Sequence, residues 1–132
     1  MTERRGVLID TSAWIEAMRV RGDEVVRESV GKALREDRAR LCDLVRLELW
    51  NGVRGDEERK WLSSLEQTLQ VVETGPEVWR LACELAIQSR SHGLTLPSTD
   101  LLIAACARHH DLDLLHRDRH FELLAEAVPI SS

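Results

Sequence analysis

Four carboxylates stand out by type and position: Asp10, Glu48, Asp100 and Asp118. Asp10 follows Val7-Leu8-Ile9, and Thr11-Ser12 come after it. An apolar run closed by polar turn formers reads as a short strand buried on both faces. Asp10 then sits where the strand leaves the core, the edge at which open α/β sheets bind ligands. Asp100 and Asp118 also fall where a helix start or a strand end meets a loop. Glu48 lies one turn beyond Leu44 and Val45, on the apolar side of a helix. A carboxylate there is expensive unless it is paired or ligates a metal. If the fold gathers all four, each pair in contact repels by roughly 4 kcal/mol in a protein-like dielectric. A hard cation offsets that repulsion, and Mg²⁺ or Mn²⁺ prefers carboxylate oxygens and retained waters. Metal–carboxylate sites of this kind activate water and clamp a scissile phosphate for in-line attack. The chemistry implied is phosphodiester hydrolysis.

Each acid taken singly also has a purely structural role. Asp10 could cap a helix, and Asp100 in a first turn gains about 0.3–1 kcal/mol from the helix dipole. Asp118, between Arg117 and Arg119, could be a surface turn residue. Glu48 is hardest to place this way, because it shares a face with leucines. The case for chemistry is the conjunction of the four.

The elements that must position these acids alternate. Strands are expected at 7–9, 39–42, 69–72, 113–116 and 128–130. Helices are expected at 13–18 (capped by Thr11 or Ser12), 23–36, 43–54, 57–65, 76–92, 99–108 and 120–126. Val78, Leu81, Ala82, Leu85 and Ala86 fit the amphipathic template of a surface helix. Leu101–Ala107 is apolar nearly all round, which marks a central buried helix. The alternation implies an α/β fold: a central parallel sheet of about five short strands with helices on both faces.

The 132 residues make one domain, 1–132, long enough for a real core. No apolar run approaches a signal peptide or membrane span, so the expected location is cytoplasmic, with no membrane partner. Cys42, Cys83 and Cys106 have no paired spacing, and reduced buried thiols are expected. The net charge of −5 speaks against simple electrostatic binding of nucleic acid, yet the four acids account for four of those five charges. Bound cations would invert the local field and admit a phosphate. Only Lys32 and Lys60 are lysines among the 18 basic residues. The rest are arginines, suited to bidentate phosphate contacts.

Asp10-Thr11-Ser12-Ala13, Glu48-Leu49-x-x-Gly52, Ser98-Thr99-Asp100-x-x-Ile103-Ala104-Ala105 and Leu115-x-x-Asp118-x-x-Phe121 resemble the four motifs of PIN-domain nucleases. The size and motif spacing are similar to those of the VapC-type toxins of bacterial toxin–antitoxin pairs, and the likeness covers essentially the whole chain. It implies a PIN-like fold and a Mg²⁺- or Mn²⁺-dependent endoribonuclease acting on an RNA substrate. It also implies a homodimer, held inactive by a cognate VapB-type antitoxin that inserts a segment near the site. It places Asp10, Glu48, Asp100 and Asp118 in the catalytic, metal-binding acidic cluster, with Thr11 and Thr99 as supporting hydroxyls. The chain departs from the pattern twice: His116 stands where the last motif usually begins with threonine, and His120 where many members carry a second aspartate.

His116 and His120 could reach a metal or phosphate, and Arg117 and Arg119 could grip the RNA backbone or serve as plain surface charge. His92, His109 and His110 read as solvated helix or loop ends. Trp61, on a short helix among charges, is the candidate for contact with a partner. Two other readings compete. A catalytically silent RNA- or protein-binding PIN module would have no need to keep four mutually repelling acids. An aspartyl-phosphate enzyme would want an acid where Ser12 stands and a late lysine, which is lacking.

Overall fold

The computed structural model of the chain describes residues 5–130. The expected domain limits, 1–132, run past them at both ends. Seven helices and four strands follow one another as β1 (Val7–Ile9), α1 (Thr11–Met18), α2 (Glu24–Arg35), β2 (Ala39–Cys42), α3 (Asp43–Asn51), α4 (Gly55–Thr68), β3 (Gln70–Val72), α5 (Pro76–Ser91), α6 (Ser98–His109), β4 (Asp113–Leu115) and α7 (Arg119–Ala127). The strands form one parallel sheet in the order β3-β2-β1-β4. Parallel neighbours need a crossover, and helix pairs supply each of the three. All strands therefore end at the same edge, which is where Asp10 lies.

The hydrophobic pattern explains the layering. Successive strand residues point to opposite faces, and Val7, Leu8 and Ile9 are all buried, so both faces of β1 are covered. Fully burying a side chain such as Leu8, Ile9 or Leu41 contributes about 1.5–3 kcal/mol each. Every residue from Leu101 to Ala107 is buried, which makes α6 the central helix that the sequence implies. The inward side of α5 carries Val78, Ala82, Leu85 and Ser89 and packs against α6.

The sheet has four strands, not five, because Val128–Ile130 forms none. The Val128 amide is used to close α7, donating to the Leu124 carbonyl at 2.8 Å, and Pro129 has no amide to give a ladder. The cap of α1 is Asp10 rather than Thr11 or Ser12, with helix starting at Thr11. Helices α2 and α6 both turn into strands through an aspartate in the left-handed region, Asp37 and Asp111, each at φ 56. The next amide bonds back into the helix in both: Arg38 to Ala33 O (2.9 Å) and Leu112 to Ala107 O (2.8 Å). Between α1 and α2 the chain closes tightly at Gly22, where a Cβ would sit 1.9 Å from the Glu16 carbonyl oxygen. Of the cysteines, Cys42 and Cys106 are buried as expected, but Cys83 is exposed on α5.

Candidate active site

The site assembles where the strands end. Asp10 is only 4% exposed. Its Oδ2 accepts from the Ser12 amide at 3.0 Å and from the Ser12 hydroxyl at 2.5 Å. The Ser12 oxygen in turn accepts from the Arg117 amide at 2.9 Å. This links the first strand's exit to the loop after β4, which carries Asp118. Asp118 caps α7, its Oδ1 accepting from the His120 amide at 2.9 Å. Asp100 occupies the first turn of α6, half-buried. The structural roles open to Asp10, Asp100 and Asp118 are thus real, and they coexist with a close approach of Asp100 to Asp118, with Asp10 near enough for its charge to act on Asp100.

The His120 side chain joins two of the acids. Its Nδ1 lies 2.9 Å from Asp100 Oδ2 and 3.2 Å from Asp118 Oδ1. One potential donor atom from each of Asp100, Asp118 and His120 falls within 4.8 Å of the others. Burial first, then the neighbouring Asp118 and Asp10 carboxylates, push the Asp100 carboxyl from 3.8 up to about 6. The hydrogen bond and charge of His120 pull the other way. A carboxyl raised by burial and by acidic neighbours is one that a nearby positive charge would relieve. Two carboxylates and an imidazole form a donor set that suits a divalent cation, so these residues fit a metal.

Glu48 reaches the cluster indirectly. Its Oε1 accepts a 2.8 Å hydrogen bond from Thr11 Oγ1, the residue after Asp10. The half-buried carboxylate on α3 is therefore partnered, as its place on an apolar face required. Thr11 and Thr99 differ: Thr11 is half-buried in that bond, whereas Thr99 is exposed on the first turn of α6. His116 accepts from the Asp118 amide through Nδ1 at 3.3 Å, and its ring lies 5.0 Å from that of Phe121. Arg119 is exposed. Arg117 is exposed too, but its guanidinium pairs with Asp23, the N-cap of α2. The Val26 amide and the Arg117 charge hold the Asp23 carboxyl below its usual range. Sequence reasoning missed this use of Asp23 and the bridging part of Ser12. The run Asp10-Thr11-Ser12 offered a signal for Ser12; Asp23 offered none beyond a helix cap.

Beside Thr11 and Glu48 opens an apolar groove between α1, α3 and α4, lined also by Ile15, Met18, Leu49 and Trp61. Trp61 stands edge-on to buried Trp14, ring centres 5.9 Å apart. Of the remaining histidines, His92 caps α5 while His109 faces Glu77 at 3.6 Å. His110 Nε2 lies 2.7 Å from the Glu73 carbonyl. No helix among the described residues is long and apolar enough to cross a membrane.

A PIN domain family model matches residues 7–127. Ribonuclease VapC11 of Mycobacterium tuberculosis is 32% identical over 130 residues, covering 96% of this chain and 96% of that protein. Among solved structures, VapBC-1 from nontypeable Haemophilus influenzae aligns with a TM-score of 0.70 at 18% identity, over 91% of this chain and 92% of that one. FitAcB from Neisseria gonorrhoeae gives 0.69 at 22% identity, over 92% and 94%. These two likenesses speak to the fold.

Proposed function

The chain belongs to the PIN domain family, among its VapC ribonucleases, and on that premise we propose that it is a divalent-metal-dependent endoribonuclease, the toxin of a VapBC pair. The observation that carries this reading is the approach of Asp100 and Asp118 with His120 between them, and Asp10 near enough for its charge to raise Asp100. Asp100 and Asp118 would hold Mg²⁺ or Mn²⁺, with Asp10 and Glu48 completing the acidic ring. A cation bound there supplies the charge that makes water a nucleophile at neutral pH and steadies the phosphate in the transition state.

The chain's own residues supply the positioning. Ser12 fixes the Asp10 carboxylate and ties it to the Asp118 loop; Thr11 fixes Glu48. Pre-set orientation of this kind is what a hydrolytic site gains from its fold. Uncompensated, four acids repel an RNA phosphate, so substrate binding and cation binding are coupled. Arg119, exposed and next to Asp118, is placed to meet the RNA backbone. Arg117, held by Asp23, serves first to fix the loop.

Partners follow from the surfaces. The groove of Ile15, Met18 and Trp61, ending at Thr11 and Glu48, suits an apolar segment of a VapB-type antitoxin that would then reach the acids. On α5, Trp79 (56% exposed), Cys83 and Ile87 (71% exposed) recur every four residues and form one outward stripe. We assign this stripe to a second copy. In a two-fold antiparallel pairing centred on Cys83, Trp79 meets the partner's Ile87. A toxin that cuts RNA works where the cell keeps it, which places this one in the cytoplasm.

The test is cleavage of a mixed RNA pool by purified protein, with and without Mg²⁺ or Mn²⁺, beside an Asp10→Asn variant. Cutting that needs both the cation and Asp10 supports the enzyme. Absence of cutting and of cation binding would leave a binding module.

A further inference from the structure

The four acids by themselves make an all-oxygen cluster, for which Mg²⁺ is the natural ion. The geometry adds a nitrogen. His120 Nδ1 lies within 3.2 Å of carboxylate oxygens from two separate segments, Asp100 on α6 and Asp118 ahead of α7. A point in contact with two convergent carboxylates is where a cation gains most. The His120 backbone amide also donates to Asp118 Oδ1 at 2.9 Å, so main chain and ring of one residue meet the same carboxylate. No other imidazole among the described residues stands against two acids.

We propose that His120 is a nitrogen ligand of the metal site and sets its ion preference, favouring Mn²⁺ and other first-row transition ions over Mg²⁺. This rests on the reading that Asp100 and Asp118 hold a cation. Imidazole suits transition ions, which accept mixed nitrogen and oxygen donors; Mg²⁺ prefers oxygen in a strict octahedron and gives up its waters reluctantly. The residue that departs from the family pattern thus changes which ion is held without abolishing the site.

The experiment is calorimetric titration of the full chain with Mn²⁺ and, separately, Mg²⁺, for the wild type, His120→Ala, His120→Asp and Asp100→Asn. Pulsed EPR of the Mn²⁺-loaded samples reads nitrogen coupling directly, with His116→Ala as the control for the neighbouring ring. Expected for His120→Ala is a loss of about tenfold in Mn²⁺ affinity, a change under about twofold for Mg²⁺, and disappearance of the nitrogen coupling. His120→Asp should shift preference toward Mg²⁺. Equal losses for both ions, or nitrogen coupling absent from the wild type, would overturn the role of His120. Loss of all binding in Asp100→Asn would then show the metal site itself still standing. A wild type that binds neither ion would overturn both.

Discussion

Asp100 carries a charge that the folded chain resists, and replacing it should stabilise the protein while disabling it. Burial and the carboxylates of Asp118 and Asp10 raise its pKa from 3.8 to about 6. Between those values the unfolded chain has released the proton that the folded chain still holds. Rising pH therefore favours unfolding across that window, and the loss is complete above about 6. At about 1.4 kcal/mol per pH unit the full difference is about 3 kcal/mol. Water reaching this half-buried site screens part of it, leaving about 1–2 kcal/mol. Asp100→Asn carries no such proton. In EDTA its advantage over the wild type should be near zero at the acid end of the window and grow to about 1–2 kcal/mol at pH 7.5. Urea unfolding at several pH values measures this. Saturating Mn²⁺ should then reverse the order, because only the wild type gains from binding the ion. An Asn variant no more stable than the wild type at pH 7.5, or an advantage flat with pH, would show that the Asp100 charge costs the fold nothing.

Thr11→Val removes the bond to Glu48 and should lower stability by about 1–2 kcal/mol by urea unfolding, together with a fall in RNA cleavage. Thr99→Val, at an exposed hydroxyl, should move stability by less than about 0.5 kcal/mol. Gly22→Ala drives a methyl into the Glu16 backbone carbonyl and should cost about 2–3 kcal/mol, seen as a lowered Tm. Mild oxidation should link two chains through Cys83, producing a dimer on non-reducing gels that Trp79→Arg diminishes; no cross-link at any oxidant level would remove α5 as the shared face.

What was legible in the sequence was what local pattern encodes. Val7-Leu8-Ile9 declares a buried strand, the α5 periodicity declares its inward face, and the Leu101–Ala107 run declares the central helix. All four strands lie within a residue of expectation for the same reason. The cap of α1 was not decidable by residue type, since Asp10, Thr11 and Ser12 are all good caps; only the hydrogen bond from the Ser12 amide distinguishes them. The supposed fifth strand had β-branched residues but also Pro129, and the helix before it took the Val128 amide. The aspartate turns at 37 and 111 lack the glycine that normally marks such helix ends. Long-range pairings were beyond reach in principle. Thr11 with Glu48, Arg117 with Asp23 and His120 with Asp100 join residues 37, 94 and 20 apart in sequence. Nothing in the local pattern distinguishes Thr11 from Thr99, or a loop-fixing Arg117 from a free Arg119.

In the proposed reaction the acids direct water, rather than the RNA's own 2′-hydroxyl, at the phosphodiester. The most direct measurement is cleavage of an RNA carrying a single 2′-deoxynucleotide on the 5′ side of the cut bond, in Mg²⁺ or Mn²⁺. Water attack leaves that bond cuttable and gives no 2′,3′-cyclic phosphate on the unmodified RNA. Loss of cutting at the modified position, with cyclic phosphate ends on the natural one, would assign the chemistry to histidine acid–base catalysis on the 2′-hydroxyl and contradict the acidic centre.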